Sequence, residues 1–211
     1  MLYKLVRILL GAGILTALLF FLKKRRKWQI RTLAIFSALI LFGVLCACPF
    51  ENLFFSFPTP EAAYSYQYEA PIQLIVPGEE SCFIRSEKGD ISFVVKDAKG
   101  WKLGNNFLYK TADLSDNGIL VSIDQYGSLG DCYLTVTNAK GGPLTIQDTR
   151  NSRFLVQTTE APSLNQTFYA YYTAVRDIDS SYTLTIDGEV WPVGEKFTPT
   201  SYLPGARKIP V

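Results

Sequence analysis

The chain has 211 residues and a formal net charge of +2, which averages two regions of opposite charge. Residues 1–58 carry eight cations and one acid, whereas residues 59–211 carry 13 cations and 18 acids. The acidic region disfavours nucleic acid as a partner, because nucleic-acid binding depends on a basic surface that neutralises phosphates. The chain has no histidine, which excludes the usual general base, the Ser-His nucleophile pair and the commonest zinc ligand.

Two apolar runs, residues 8–22 and 33–50, flank a basic cluster near the N-terminus. Starting the first run at residue 2 makes it long enough to span a bilayer. Charged side chains are costly inside a bilayer, so the cluster marks a cytoplasmic loop over residues 23–31. We therefore predict a transmembrane helical hairpin over residues 1–50, which contacts membrane lipid and leaves the rest of the chain outside the cytoplasm. The predicted topology determinants are Lys23, Lys24, Arg25, Arg26, Lys27 and Arg31.

Two alternatives for this segment stay open. The first apolar run also has the charged start and apolar middle of a secretory signal peptide, which would be cleaved. The stretch Leu45–Cys48 resembles a bacterial lipoprotein signal, in which Cys48 would carry the lipid, although Cys46 and Cys48 also suit a helix end as small apolar residues. Both alternatives place residues 51–211 outside the cytoplasm.

Residues 51–59 form a predicted juxtamembrane linker, whose Phe54, Phe55 and Phe57 are expected at the membrane interface. A short helix should follow, since Thr59 is a good N-cap and Pro60 suits the first helical position. We expect this helix to end near residue 67.

Beyond the helix, the apolar residues recur with period two, which predicts β-strands. Asp187–Gly188 predicts a tight hairpin, because a type I′ turn needs positive φ at both central residues. Asp113–Gly118 is interpreted as a turn, residues 159–167 as a loop, and the tail 199–211 as loosely ordered or strapped along the surface. The predicted strands are 72–76, 82–85, 91–96, 101–103, 119–123, 132–137, 144–147, 154–158, 168–175 and 182–186.

These elements predict a mainly β fold over residues 60–211, an antiparallel domain that is sandwich-like or a strongly bent sheet. Cys82 and Cys132 each lie in a predicted strand. On an oxidising side of the membrane they are candidates for a disulfide, and the alternative is two buried free thiols.

Alternating tyrosines are the candidate binding residues. On a strand, such alternation places the rings on one face, where a sugar or a protein could stack, although rings of this kind also cover a core or a sheet face. The candidate binding aromatics are Tyr64, Tyr66, Tyr68, Tyr169 and Tyr171.

Acidic residues supply two further patterns. Asp177, Asp179 and Ser181 alternate like the start of a calcium loop, but the glycine and the closing acid are absent, which favours a solvated turn. A glycosidase needs two carboxylates near aromatic platforms, and the carboxylates considered for it are Glu79, Glu80, Glu189 and Glu195, the last two of which flank Trp191. Their spacing does not single out a pair, so we predict no catalytic residue, metal or cofactor.

Residues 57–66 (FPTPEAAYSY), 76–85 (VPGEESCFIR) and 100–103 (GWKL) resemble a pattern in uncharacterised membrane-anchored envelope proteins of Gram-positive bacteria. The loop over residues 148–154 (DTRNSRF) is similar to one in the same group. In those proteins an anchor precedes a small β domain. The resemblance covers about half of the region after the linker and implies location and fold style, without activity or functional residues.

The sequence thus predicts a non-enzymatic binding or interaction module, held at the cell membrane by residues 1–50 and exposed to the bacterial envelope. Its ligand would be an envelope protein or a glycan. One alternative is an envelope hydrolase that uses carboxylates, and another is an accessory subunit of a membrane complex.

Overall fold

The computed structural model describes residues 2–23, 32, 35–37, 39–40, 43, 49–104, 109–127, 130–161, 163 and 166–197. Contacts along the chain divide it into two compact units. The first unit comprises Met1–Ile75 and Glu80–Leu108, and the second comprises Val76–Glu79 and Tyr109–Val211. The domain boundaries drawn from the sequence, with one domain over residues 60–211, stay a prediction.

The first unit begins with helix α1, Leu2–Lys23. The described residues between 32 and 43 are also helical, and a 3-10 turn follows at Phe50–Leu53. Among the helices that the described residues form, none combines the length and the apolar character that crossing a membrane requires.

Helix α2, Pro60–Gln67, confirms the short helix predicted from the sequence. The Thr59 side chain accepts a hydrogen bond from the Ala62 backbone N–H at 3.2 Å, which satisfies one of the free N–H groups of the first turn. Pro60 takes the first helical position, where its missing N–H is not needed. Local signals alone therefore set the start of this helix.

A four-stranded sheet with the order β1-β2-β3-β4 follows, and all of it except Val76 and Pro77 belongs to the first unit. Its strands are β1 Ile72–Pro77, β2 Ser81–Ser86, β3 Ile91–Asp97 and β4 Gly100–Leu103. Strand β3 pairs antiparallel with both β2 and β4. The core between the sheet and α2 contains Ala63, Tyr64, Cys82, Ile84, Val94 and Leu103.

The outer edge of β4 is covered by the chain that precedes α2. Phe57 and Trp101 exchange backbone hydrogen bonds of 2.7 and 2.8 Å. The Asn52 side chain donates to the Leu103 carbonyl at 2.8 Å and accepts from the Leu103 N–H at 2.9 Å. These contacts satisfy backbone groups that an open edge strand would leave available for pairing with another chain.

The second unit contains a five-stranded sheet with the order β5-β6-β7-β10-β9 and a three-stranded sheet with the order β12-β11-β8. Its strand pairs are antiparallel. A short helix, α3, at Val193–Lys196 follows the last strand. The strands are β5 Tyr109–Asp116, β6 Ile119–Tyr126, β7 Asp131–Asn138, β8 Ile146–Asp148, β9 Leu155–Ala161, β10 Gln166–Arg176, β11 Leu184–Ile186 and β12 Glu189–Trp191.

One hydrophobic core joins the two sheets of the second unit. Val121, Ile123 and Val136 come from the larger sheet, and Leu184 and Ile186 come from the smaller one. All five side chains are buried, because inward-facing residues alternate along each strand. This packing of two sheets confirms the mainly β class predicted from the sequence.

Two predicted loops need correction. Asp113–Gly118 was expected to be a turn, but strand β5 runs through Asp116 and the turn is confined to Asn117 and Gly118. These two residues have positive φ values of 49° and 85°, as a tight hairpin requires. The loop expected over residues 159–167 is shorter, because β9 extends to Ala161 and β10 starts at Gln166. The tail 199–211 lies outside the described residues.

Candidate functional site

A cleft of about 390 Å³ opens on the second unit, between the edge strands β5 and β12. Strand β5 contributes its last residues, and β12 contributes its exposed side together with the start of α3. The volume falls within the range of small-molecule sites, about 300–1,000 Å³. The residues that line it are Leu114, Ser115, Asp116, Glu189, Val190, Trp191, Pro192 and Lys196.

Four of the residues that line this cleft carry polar side chains without a partner among the described residues. They are Ser115, Asp116, Glu189 and Lys196, and all four are exposed. Within the described part of the chain, none of these side chains makes a hydrogen bond or an ion pair with another residue. The cleft therefore offers two carboxylates, one ammonium group and one hydroxyl group to a ligand.

Trp191 joins the cleft to the core. Trp191 is only 8% exposed and packs in the core of the second unit, and it also lines the cleft. Trp191 pairs with Leu184 in the sheet. An aromatic wall held in this way is rigid, so it does not have to be ordered when a ligand binds.

A buried hydrogen-bond network supports the wall of the cleft. The Tyr182 hydroxyl donates to the Asp148 carboxylate at 2.8 Å. The other oxygen of this carboxylate accepts from the backbone N–H groups of Arg150 at 3.2 Å and Ser152 at 2.7 Å. Burial, followed by the bond to Asp148, raises the pKa of Tyr182 well above its ordinary value. The hydroxyl therefore stays protonated and acts as a fixed donor.

The same network holds helix α3 in place. The Gly194 N–H donates to the Tyr182 carbonyl at 2.8 Å. A Cβ atom at Gly194 would lie 1.8 Å from the Asp179 carbonyl oxygen, so no larger residue fits without moving the backbone. The position of Lys196 at the cleft thus depends on a glycine two residues earlier.

Arg150 contacts the Tyr182 ring of this network from its outer side. Its guanidinium lies 5.5 Å from the centre of the Tyr182 ring and donates to the Asp177 carbonyl at 2.7 Å. It also forms an ion pair of 3.5 Å with Asp179. These contacts connect the turn at residue 150 to the turn at residues 177–179.

The calcium-like pattern lies in a turn of this region. Asp177 has a positive φ of 48°, and the Asp179 carboxylate accepts from the Ser181 backbone N–H at 2.8 Å and from its hydroxyl. These hydrogen bonds, the hydroxyl first, lower the pKa of Asp179. Among the described residues, no group of three acids, cysteines or histidines is arranged to hold a metal ion.

The other carboxylates considered for catalysis do not converge on the cleft. Glu79 forms an ion pair with Arg176, and the Glu80 carbonyl accepts from the Lys96 N–H in the first unit. Glu195 is exposed on α3 outside the cleft lining. Only Glu189 of the four lies in the cleft.

Sequence reasoning missed the partners of Glu189. Asp116 was interpreted as a turn former, and Ser115 and Lys196 were not singled out. The one signal was the acidic residue beside Trp191. Asp116 and Glu189 are far apart in the sequence and belong to different sheets, so no local pattern could connect them.

The tyrosines of the first unit do not share a strand face. Tyr64 and Tyr66 lie on helix α2, where residues two apart point in different directions. Tyr64 is buried and stacks on Tyr68 with ring centres 5.0 Å apart, as residues four apart on a helix would. Tyr66 packs against Phe57 at 5.3 Å. Tyr64 and Tyr66 therefore do not lie on a strand, and a binding role for these three tyrosines stays a prediction.

Tyr169 and Tyr171 both lie on β10 and pack in the core of the second unit. Tyr171 is 6% exposed, and its hydroxyl accepts from the Leu144 N–H at 2.6 Å. Both rings therefore belong to the core of the second unit. Their role in binding stays a prediction without a described surface to support it.

Cys82 and Cys132 are free and buried in the structure. Cys82 belongs to the core of the first unit and Cys132 to that of the second. Burial raises the pKa of Cys132 to about 11, so this thiol is protonated and unreactive at neutral pH. A bridge between the two in an oxidising compartment stays a prediction. Cys46 and Cys48 lie outside the described residues.

A second notable surface lies on the first unit and is apolar. Eleven of the fifteen exposed large hydrophobic side chains in the described residues precede residue 56. They lie on α1, on the helical residues between 35 and 40, and at the 3-10 turn. They are Leu5, Leu9, Leu10, Phe20, Ile35, Phe36, Leu39, Ile40, Leu53, Phe54 and Phe55.

A buried ion pair accompanies this apolar surface. The Arg7 guanidinium on α1 donates from Nε and Nη2 to the two Glu51 carboxylate oxygens, each at 3.2 Å. The Glu51 side chain is 1% exposed and that of Arg7 is 12% exposed. Burial, and then the negative charge of Glu51, raise the pKa of the neighbouring Tyr66. The predicted topology determinants lie outside the described residues, except Lys23, which ends α1.

Comparison of the chain with models of protein families, with curated proteins and with solved structures gave no match.

Proposed function

We propose that this protein is a membrane-anchored binding module of the bacterial envelope, without catalytic activity of its own. Residues 1–50 hold it in the membrane, and its β units face the exterior. The observation that carries the proposal is the concentration of exposed apolar side chains before residue 56. Such a concentration of exposed large apolar side chains is typical of a surface that a partner covers.

Lipid is the partner that best fits this surface. Leu9 is 63% exposed and Phe20 is 72% exposed on α1, and Phe36 and Leu39 are exposed to a similar degree on the following helical residues. Both stretches belong to the apolar runs of the sequence. Acyl chains would cover such side chains without specific contacts.

The 3-10 turn supports an interfacial position for the chain that follows the second run. Leu53 and Phe54 are 82% and 78% exposed, and Phe55 is 41% exposed. Aromatic side chains concentrate where the bilayer meets water. Phe57, also expected there, packs on Tyr66 instead, so the interfacial contact would be made by residues 53–55.

The Arg7–Glu51 ion pair supports the hairpin arrangement. It joins a residue near the start of α1 to a residue just past the second apolar run. In a hairpin, both of these positions are on the same side of the membrane, opposite the basic loop. A positive loop stays on the cytoplasmic side, which would place Arg7, Glu51 and the β units outside.

The experiment is to express the full chain in a bacterium with a reporter fused after Val211, and to compare it with a variant in which residues 23–27 are neutral. We expect the parent chain to stay in the membrane after an alkaline wash and to show an exterior reporter, and the variant to lose its uniform orientation. The matched control neutralises five cations between residues 88 and 196 and should keep the orientation. A parent chain released by the wash, or an orientation unchanged in the variant, would contradict the proposal.

A second candidate function is an envelope hydrolase, favoured by one observation. The cleft collects two carboxylates, Asp116 and Glu189, beside Trp191, and glycoside hydrolysis uses a pair of carboxylates. Release of shorter sugars from an envelope polysaccharide by the purified chain, lost in both Asp116→Asn and Glu189→Gln, would favour this candidate over the binding module.

A further inference from the structure

We infer that the cleft between β5 and β12 binds a short neutral glycan. This inference rests on the proposed binding function and names its site and its ligand class. The cleft has a volume of about 390 Å³ and is formed entirely by the second unit.

The hydrogen-bonding groups of the cleft match those of a sugar. The carboxylates of Asp116 and Glu189 accept from hydroxyl groups, and the Lys196 ammonium donates to hydroxyl or ring oxygens. Each hydroxyl of a sugar both donates and accepts, so it can satisfy either kind of group. Within the described residues these three side chains have no partner, so binding a ligand would not require breaking an existing ion pair.

The apolar part of the cleft matches the other face of a sugar ring. Trp191, Leu114 and Pro192 line the cleft beside the polar residues. The C–H faces of pyranose rings are apolar and pack on such walls, while their hydroxyls point to the rim. Trp191 is fixed by the core, so the wall is formed before the ligand arrives.

The charges of the cleft exclude one class of envelope polymer. Two acidic residues and one lysine line the cleft, and their net negative charge repels phosphate-rich or uronic-acid polymers. A neutral glycan meets no such repulsion. The net charge of the cleft therefore favours a neutral glycan over a polyanion as the ligand.

Isothermal titration calorimetry on the full chain in mild detergent tests the inference. The probes are the tetrasaccharides of N-acetylglucosamine, of β-1,4-linked glucose and of α-1,4-linked glucose. We expect at least one of them to bind. For that glycan, Glu189→Gln and Asp116→Asn should each weaken binding by about tenfold, because each removes a charge-assisted hydrogen bond.

The matched control is Glu160→Gln, which changes an exposed carboxylate on β9 outside the cleft and should leave the affinity unchanged. Trp191→Phe keeps an aromatic ring in the core and should also weaken binding. If none of the three glycans binds, or if Glu189→Gln and Asp116→Asn bind as the parent does, the inference is wrong. Neither result affects the alkaline wash or the reporter orientation, so failure of this site is distinguishable from failure of the proposed anchor.

Discussion

The two compact units of this chain differ in how far their large apolar side chains are exposed. In the first unit, Phe20 and Phe54 are more than 70% exposed, although the four-stranded sheet and α2 enclose a small core. In the second unit, large apolar side chains such as Leu184 and Ile186 are at most 1% exposed and belong to one core shared by two sheets. Among the described residues, most of the exposed large apolar side chains therefore lie in the first unit.

The two units also differ in the polar groups that they bury. The first unit buries a full ion pair between Arg7 and Glu51, whereas the second buries a neutral hydroxyl, that of Tyr182, on the carboxylate of Asp148. A buried ion pair is costly to break and contributes little net stability when formed. It is therefore better understood as a device that fixes the position of α1 relative to the chain at residue 51.

The largest effect is expected in the first unit, for Glu51→Ala. This change removes the carboxylate that pairs with the largely buried Arg7 guanidinium, which should destabilise the protein by about 3–5 kcal/mol. Urea unfolding in mild detergent measures the difference. The matched control is Asp97→Asn, since the Asp97–Lys102 pair of the same unit is partly exposed and should contribute nothing measurable. Equal losses of stability from Glu51→Ala and Asp97→Asn would contradict the expected cost of breaking the buried pair.

A smaller effect is expected in the core of the second unit, for Leu184→Ala. Leu184 is fully buried, so its truncation should cost about 3 kcal/mol through lost transfer energy and the cavity left behind. Val190→Ala, on the neighbouring strand with 66% exposure, should change stability by less than about 0.5 kcal/mol. The unfolding midpoints in urea compare the two. A loss of similar size at both positions would contradict the closed core.

Gly194→Ala should have the next effect. The added methyl group would meet the Asp179 carbonyl oxygen, so the backbone of α3 must shift, at about 1–3 kcal/mol. Glu195→Ala, one residue later and exposed, is the control and should be nearly neutral. Thermal unfolding measures both. A fully stable Gly194→Ala variant would show that α3 can move freely and that Lys196 is not held at the cleft.

The smallest effect is expected for Tyr182→Phe, at about 1 kcal/mol near neutral pH. The pKa of Tyr182 is raised above its ordinary value of 10.0 by burial first and then by its bond to Asp148. The unfolded chain therefore loses this proton at lower pH than the folded chain does. Stability supplied by Tyr182 is fully present below pH 10 and is lost as the pH rises above it.

Urea unfolding at pH 8 and at pH 10.5 separates this contribution from other effects of alkali. The parent chain should lose more stability between the two pH values than the Tyr182→Phe variant does. The same loss in both chains would mean that the Tyr182 hydroxyl does not titrate as its surroundings indicate.

Elements that depend on neighbouring residues could be predicted from the sequence. Thr59 and Pro60 set the start of α2, and Asp187 and Gly188 have the positive φ values that their hairpin needs. Strand β5 has a weak sequence signal, because its residues are mostly polar and only Ala112 and Leu114 alternate with polar neighbours. The turn at Asn117–Gly118 was consequently drawn several residues too early.

The cleft could be predicted only in part. Glu189 and Trp191 are two residues apart in the sequence, which places an acid close to an aromatic residue. Asp116 joins them only because β5 and β12 are the outer strands of two sheets that share one core. Pairing of distant strands depends on packing of the whole unit, which one sequence does not reveal.

The central claim is that the apolar surface before residue 56 is covered by lipid and that the β units lie outside the cytoplasm. Protease treatment of bacterial protoplasts that express the full chain tests it most directly, with an antibody against the second unit as the readout. We predict that the second unit is digested while the protoplasts are intact and a cytoplasmic marker protein survives. A second unit that is protected in intact protoplasts and digested only after lysis would contradict the account.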